Sequence, residues 1–236
     1  MKLKLLSALL ITVSSFANAS GFSIGSTRVI FDGNQEQAKF VVNNGTEKSD
    51  YLVQTWVDNK GPAGDQKEVE KPPFIVTPPL VKSVAGSKNE LRVVSTGAQA
   101  LPQDRESVFW INVKAIPRVH ETASGNSMNI AFKSRVKLFY RPSAIVSQFE
   151  EGNNGHEQLI FTYSDQQLVI KNPSPFHISL YELKVDGNKV DTGYDMVPPK
   201  GMVQYPLSNN GNNHHKVTWK AINDFGAITD EMAQDL

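Results

Sequence analysis

Residues 128–140 read MNIAFKSRVKLFY, and whether this stretch is a helix or a strand decides the class of the fold. At period two, Met128, Ile130, Phe132, Ser134, Val136 and Leu138 share one face. At helical period, Phe132, Val136 and Phe139 or Tyr140 would share one instead. Enrichment in Ile, Val, Phe and Tyr favours the strand, as does the pattern around it. Thirteen residues is long where ~5–6 is usual. The apolar face is therefore expected to run past the strand's own sheet. Such an edge is a liability unless a partner is there to cover it.

The surrounding chain has the same character. Upstream lie short β-rich runs at residues 23–30, 38–42, 51–57, 74–77, 91–94 and 107–116, punctuated by Asp32-Gly33, Asn43-Asn44-Gly45, Pro78-Pro79 and Pro117. Downstream, runs at 158–163, 168–171, 177–185, 202–205 and 216–222 alternate with Gly, Pro, Asn and Asp. Runs and turns at this spacing predict antiparallel sandwiches rather than helices. Between the two series, Arg141-Pro142-Ser143 reads as a hinge, because proline fixes its own φ and restricts the residue before it. The expectation is an all-β chain of two sandwiches, residues 20–141 and 142–236. Trp56, Trp110 and Trp219 read as core residues. Thr77-Pro78 is open to either peptide isomer.

The first nineteen residues, MKLKLLSALLITVSSFANA, combine Lys2 and Lys4, a short apolar stretch and the small-x-small site Ala17-Asn18-Ala19. They read as a secretory signal peptide cut after Ala19. The apolar stretch is too short to span a bilayer, and no later segment reaches ~20 apolar residues. Export to the periplasm or beyond, without membrane insertion, is expected. Loss of Lys2 and Lys4 leaves 22 basic against 24 acidic residues, a formal charge of −2, so no basic field points to nucleic acid. At 39% hydrophobic and 20% charged, the chain has the composition of a globular protein. With no cysteine among 236 residues, disulfide frameworks, thiol nucleophiles, thiolate metal sites and lipid attachment at cysteine are excluded. His120, His156, His177, His214 and His215 are too scattered for a metal site, and no G-x-S-x-G, Walker loop or H-E-x-x-H occurs. Neither a metal nor a cofactor is expected, nor an enzymatic activity.

Several ordered stretches resemble the periplasmic chaperones of the chaperone–usher pilus pathway. LPQDRESVFWINVKAIP at 101–117 is similar to their signature segment, and KLFYRP at 137–142 to the end of their long G1 strand. STRVI at 26–30, VTPPL at 76–80, NPSPF at 172–176 and INDFGA at 222–227 follow in the family's order. The likeness is strongest to the branch that serves type 1 pili. The resemblance implies two immunoglobulin-like domains in a boomerang, holding a pilus subunit whose own sandwich lacks a strand. The chaperone would lend its G1 strand, and an outer-membrane usher would receive the complex.

The same resemblance assigns residues. Arg28 and Lys137 match the basic pair that holds the subunit's terminal carboxylate, a task suited to a guanidinium fork and an ammonium. Met128, Ile130 and Phe132 match the alternating donor residues, with Phe132 where the family usually has an aliphatic side chain. Glu106, Arg141 and Asp224 match an ion network that sets the angle between domains. Without the resemblance, the basic pair would read as surface charges and the apolar trio as part of its own core. Two other functions compete with this one: a secreted pilus subunit or adhesin, and a sandwich hydrolase or metalloenzyme. Two domains, no cysteine and an internal donor-like strand disfavour the first, and no catalytic constellation supports the second. When no client is bound, self-association would be the alternative cover for the edge.

Overall fold

The structure is a computed structural model, and it describes residues 21–67, 70–118, 130–147, 155–193, 195–207 and 216–236. The expected signal peptide, Met128, His120, His214 and His215 lie outside these residues. The first series of runs forms β1 (Phe22–Ile24), β2 (Arg28–Asp32), β3 (Gln37–Asn44), β4 (Tyr51–Asp58), β5 (Phe74–Thr77), β6 (Leu80–Ser83), β7 (Lys88–Ser95), β8 (Ser107–Pro117) and β9 (Phe132–Arg141). These strands make a four-stranded sheet, β1-β3-β7-β5, and a five-stranded sheet, β2-β9-β8-β4-β6. Alternation along each strand turns one set of side chains inward. Phe40 and Leu91 from one sheet meet Val53, Ile111, Val113 and Leu138 from the other in a single core.

After Pro142 come α1 (Ser143–Val146), β10 (Ile160–Ser164), β11 (Gln167–Asn172), β12 (Ile178–Val185), β13 (Asn188–Lys189), β14 (Met196–Val197), β15 (Gly201–Pro206), β16 (Lys216–Ile222) and β17 (Met232–Asp235). One sheet is β10-β11-β15; the other is β13-β12-β16-β17, with β14 also on β12. Between them Phe161, Leu168, Ile170, Leu183, Val217 and Trp219 form a second core that shares no residue with the first. The architecture is two immunoglobulin-like β-sandwiches in sequence.

Three expectations need correction. The long strand starts at Phe132 rather than Met128, so it has ten residues and Ile130 precedes it. Its ladder with β8 ends at Ala115↔Phe132, close to Pro117, which has no N–H to continue it. Trp56 and Trp110 are not in the sandwich core. Tyr51, Val53 and Thr55 on β4, and Phe109, Ile111 and Val113 on β8, already occupy the inward positions, so the intervening even-numbered residues must face outward. Trp110 is nonetheless buried, on the cleft side. Trp219 does lie in a core, its indole donating to the His156 carbonyl at 3.1 Å. The Thr77–Pro78 peptide bond is cis. Among the described residues no helix is long and apolar enough to cross a membrane.

Candidate functional site

Strand β9 changes character halfway along. Val136, Leu138 and Tyr140 point into the first core, and Leu138 is fully buried. Phe132 and Ser134 continue the same face but have left that core. Phe132 is 55% exposed and Ile130, just before the strand, 52%. The edge changes too. From Lys137 to Arg141, β9 lies between β8 and β2, with parallel register from Arg28↔Lys137 to Asp32↔Arg141. From Phe132 to Val136 it pairs with β8 alone. Its other edge has no strand partner among the described residues, so backbone donors and acceptors stand open beside exposed apolar side chains.

The change occurs where the cations meet. Arg28 and Lys137 are neighbours across the β2–β9 ladder, and both project from the outer face toward the second sandwich. Arg28 Nη1 donates to the Ile222 carbonyl at 3.1 Å, and Lys137 Nζ donates to Ser179 Oγ at 3.0 Å. Arg28 Nε is buried with no hydrogen-bond partner among the described residues. Burial, with the Arg28 charge beside it, lowers Lys137 from 10.5 to about 8. Burial also lowers Arg28, against the pull of Asp224 and Glu106. Two cations held together in a cleft suit an anion that can accept from both. They help to line a cavity of about 280 Å³, together with Thr27, Pro62, Trp110, Arg135, Ile222 and Gly226. Gly226 closes it tightly: at φ +83°, a Cβ there would lie 2.5 Å from Thr27 Oγ1.

Glu106, Arg141 and Asp224 converge across the boundary between the sandwiches. Arg141 Nη2 donates to Glu106 Oε1 at 2.9 Å, and Nη1 and Nη2 donate to Asp224 Oδ2 and Oδ1 at 2.8 and 3.0 Å. The guanidinium also lies 4.5 Å over the Phe176 ring. Sequence reasoning missed two members of this cluster. The His177 backbone N–H donates to Glu106 Oε2 at 2.8 Å, and its Nδ1 lies 3.0 Å from the same oxygen. The Glu106 N–H donates to the Pro175 carbonyl at 2.8 Å. Glu106 is 3% exposed, so its charge is matched almost wholly by protein groups. A second cluster was missed entirely: Arg135, two residues before Lys137 on the same face, bridges Asp58, Asn112 and Gly61. Alternation on β9 places Arg135 beside Lys137, but its partners lie in distant strands that spacing alone does not join.

Comparison with known proteins gives the family of both halves of the chain. Residues 21–146 match the pili and flagellar-assembly chaperone PapD N-terminal domain, and residues 154–233 the pili assembly chaperone PapD C-terminal domain. The chain is 40% identical over 228 residues to chaperone protein LpfB of Salmonella typhimurium, covering 95% of this chain and 92% of that one. The Escherichia coli chaperone DraB superposes with a TM-score of 0.76 at 30% identity, over 92% of this chain and 98% of the other. The Salmonella enterica SafB chaperone, solved with the SafA pilin, gives 0.76 at 28% identity, over 92% and 96%. Both halves and the order of the two domains are thus shared with assembly chaperones. The chain belongs to the PapD family of pilus-assembly chaperones.

Proposed function

We propose that the protein is a periplasmic chaperone that binds, folds and caps pilus subunits by donor-strand complementation and passes them to an outer-membrane usher. The observation that carries this reading is the open edge of β9, with exposed Ile130 and Phe132 leading directly to Lys137 and Arg28. A subunit lacking one strand of its sandwich would pair its backbone with this edge. It would take Ile130, Phe132 and the preceding Met128 into its groove. Full burial of such a side chain contributes roughly 1.5–3 kcal/mol. Since Ile130 and Phe132 are about half exposed, each would contribute roughly 1 kcal/mol. Ladder bonds supply affinity for any strand, and the alternating side chains fix register.

The subunit's terminal carboxylate would lie against Arg28 and Lys137. Hydrogen bonds to charged groups contribute roughly 1.5–3 kcal/mol each, and they also define where the paired strand must end. Glu106, Arg141 and Asp224 would hold the angle of the cleft, since a buried ion network specifies geometry more than it stabilises. On this reading the boundary between the domains would fall between Arg141 and Pro142. The SafB chaperone, similar over nearly its whole length, was solved with a pilin, which supports pilus subunits as the client class. The work is done by binding energy, without enzymatic activity or a cofactor.

Co-expression of the mature chain with a pilus subunit tests the reading. The parent should co-purify with the subunit and protect it from periplasmic degradation. Arg28→Ala and Lys137→Ala should fold yet lose that protection; normal subunit yield with both variants would defeat the anchor assignment.

A further inference from the structure

Three cations line the cleft cavity, but Arg135 is used differently from Arg28 and Lys137. Its Nη1 donates to Asp58 Oδ2 at 2.9 Å and to Asn112 Oδ1 at 2.7 Å; its Nη2 donates to Asp58 Oδ1 at 2.7 Å and to the Gly61 carbonyl at 2.6 Å. Asp58 in turn accepts from Asn112 Nδ2 at 2.8 Å and from the Lys60 N–H at 3.1 Å. The charge of Arg135 is thus met inside the protein. Its Nε is buried without a partner among the described residues, and it lies under Gly64. A Cβ on Gly64 would lie 2.6 Å from Nη1, so glycine is required for the loop to rest on the guanidinium. On another side, Arg135 Cζ stands 5.9 Å from the centre of the Trp110 ring.

The loop so held is itself closed. Gln66 N–H donates to the Lys60 carbonyl at 3.1 Å, and Gly64 N–H to the Gly61 carbonyl at 3.2 Å. At its tip, Pro62 lines the same cavity as Lys137 and Trp110. At ~30 Å³ per water, the cavity's roughly 280 Å³ exceeds what a carboxylate needs. Besides the cations, that space is bounded by Pro62 and Trp110 on one part of its wall and by Thr27, Ile222 and Gly226 on the rest. We infer that Arg135 is a positioning residue: it fixes the loop so that Pro62 and Trp110 form an apolar wall selecting a large apolar side chain at the client's last residue. This rests on the carboxylate reading above.

The test uses synthetic peptides of about twelve residues with alternating Val and Thr, ending in Phe or Ala, each as free acid and as amide. The parent should bind the Phe acid about tenfold or more tightly than the Ala acid. Arg135→Gln and Pro62→Gly should bring that ratio to within about twofold while the preference for acid over amide persists. Loss of the acid preference in Arg135→Gln would make Arg135 an anion ligand and overturn the inference. So would an unchanged Phe preference in both variants. If Arg135→Gln fails to fold, Pro62→Gly decides, because Pro62 is exposed and outside the buried clamp. A parent that ignores acid against amide breaks the carboxylate reading. One that distinguishes these but not Phe from Ala breaks only the present inference.

Discussion

Replacing Lys137 with methionine should make the free protein more stable and the chaperone worse. The Lys137 ammonium is partly buried beside Arg28, has one hydrogen bond among the described residues, to Ser179, and is lowered from 10.5 to about 8. A base whose folded pKa is depressed is held in an unfavourable charged form below that value. Between about 8 and 10.5 the unfolded chain carries more of this proton than the folded one, so stability rises with pH across that window. A depression of this size corresponds to about 3 kcal/mol, and losing the bond to buried Ser179 returns about 1 kcal/mol. Lys137→Met should therefore gain about 2 kcal/mol at pH 7 in urea unfolding. Its advantage should shrink as pH approaches 10. Client binding should fall by roughly 1.5–3 kcal/mol, or about 10- to 150-fold. A variant less stable than its parent at neutral pH, or an advantage that does not shrink, would refute the reasoning.

Ile130→Asp should leave unfolding unchanged, since the side chain is exposed, while co-purified subunit is lost; retained subunit would remove Ile130 from the donor row. Arg141→Met leaves Glu106, whose side chain is 1% exposed, with only His177 among the described residues to meet its charge, so stability should fall by roughly 3–5 kcal/mol and X-ray scattering should show a wider spread of shapes. Unchanged scattering would remove its hinge role. At Asp58, burial opposes ionisation, but hydrogen bonds from Arg135, the Lys60 N–H and Asn112 outweigh it and hold the carboxyl below 3.8. That stabilisation is present above the ordinary value and lost as pH falls below it. The gap between parent and Asp58→Asn should narrow on going from about pH 5 to about pH 2.5. A constant gap would contradict the clamp.

The strands most readily read from sequence were those with uninterrupted alternation or dense β-branching. β8 runs from Ser107 to Pro117, one residue beyond the expected 107–116. Short elements escaped. β6 follows directly on Pro78-Pro79, where the expected run ends, and β17 carries only one large apolar residue, Met232. The faces of Trp56 and Trp110 are legible in strand parity, because odd-numbered neighbours fill the inward positions; the expectation of a core Trp rests instead on the immunoglobulin-like pattern. Arg28 and Lys137 came from motif likeness, and their adjacency depends on a parallel pairing between segments more than a hundred residues apart. The Arg135 clamp was not legible. Its carboxylate partner is 77 residues away, on β4, and nothing local distinguishes Asp58 from a surface acid.

Amide hydrogen exchange along residues 132–136, measured with and without a bound subunit, tests the central claim most directly. In the free protein the amides on the unpaired side of β9 should exchange readily, and subunit binding should slow them strongly while those facing β8 change little. Equal exchange of the outward amides in free and bound chaperone would show that this edge does not complete the client's sheet.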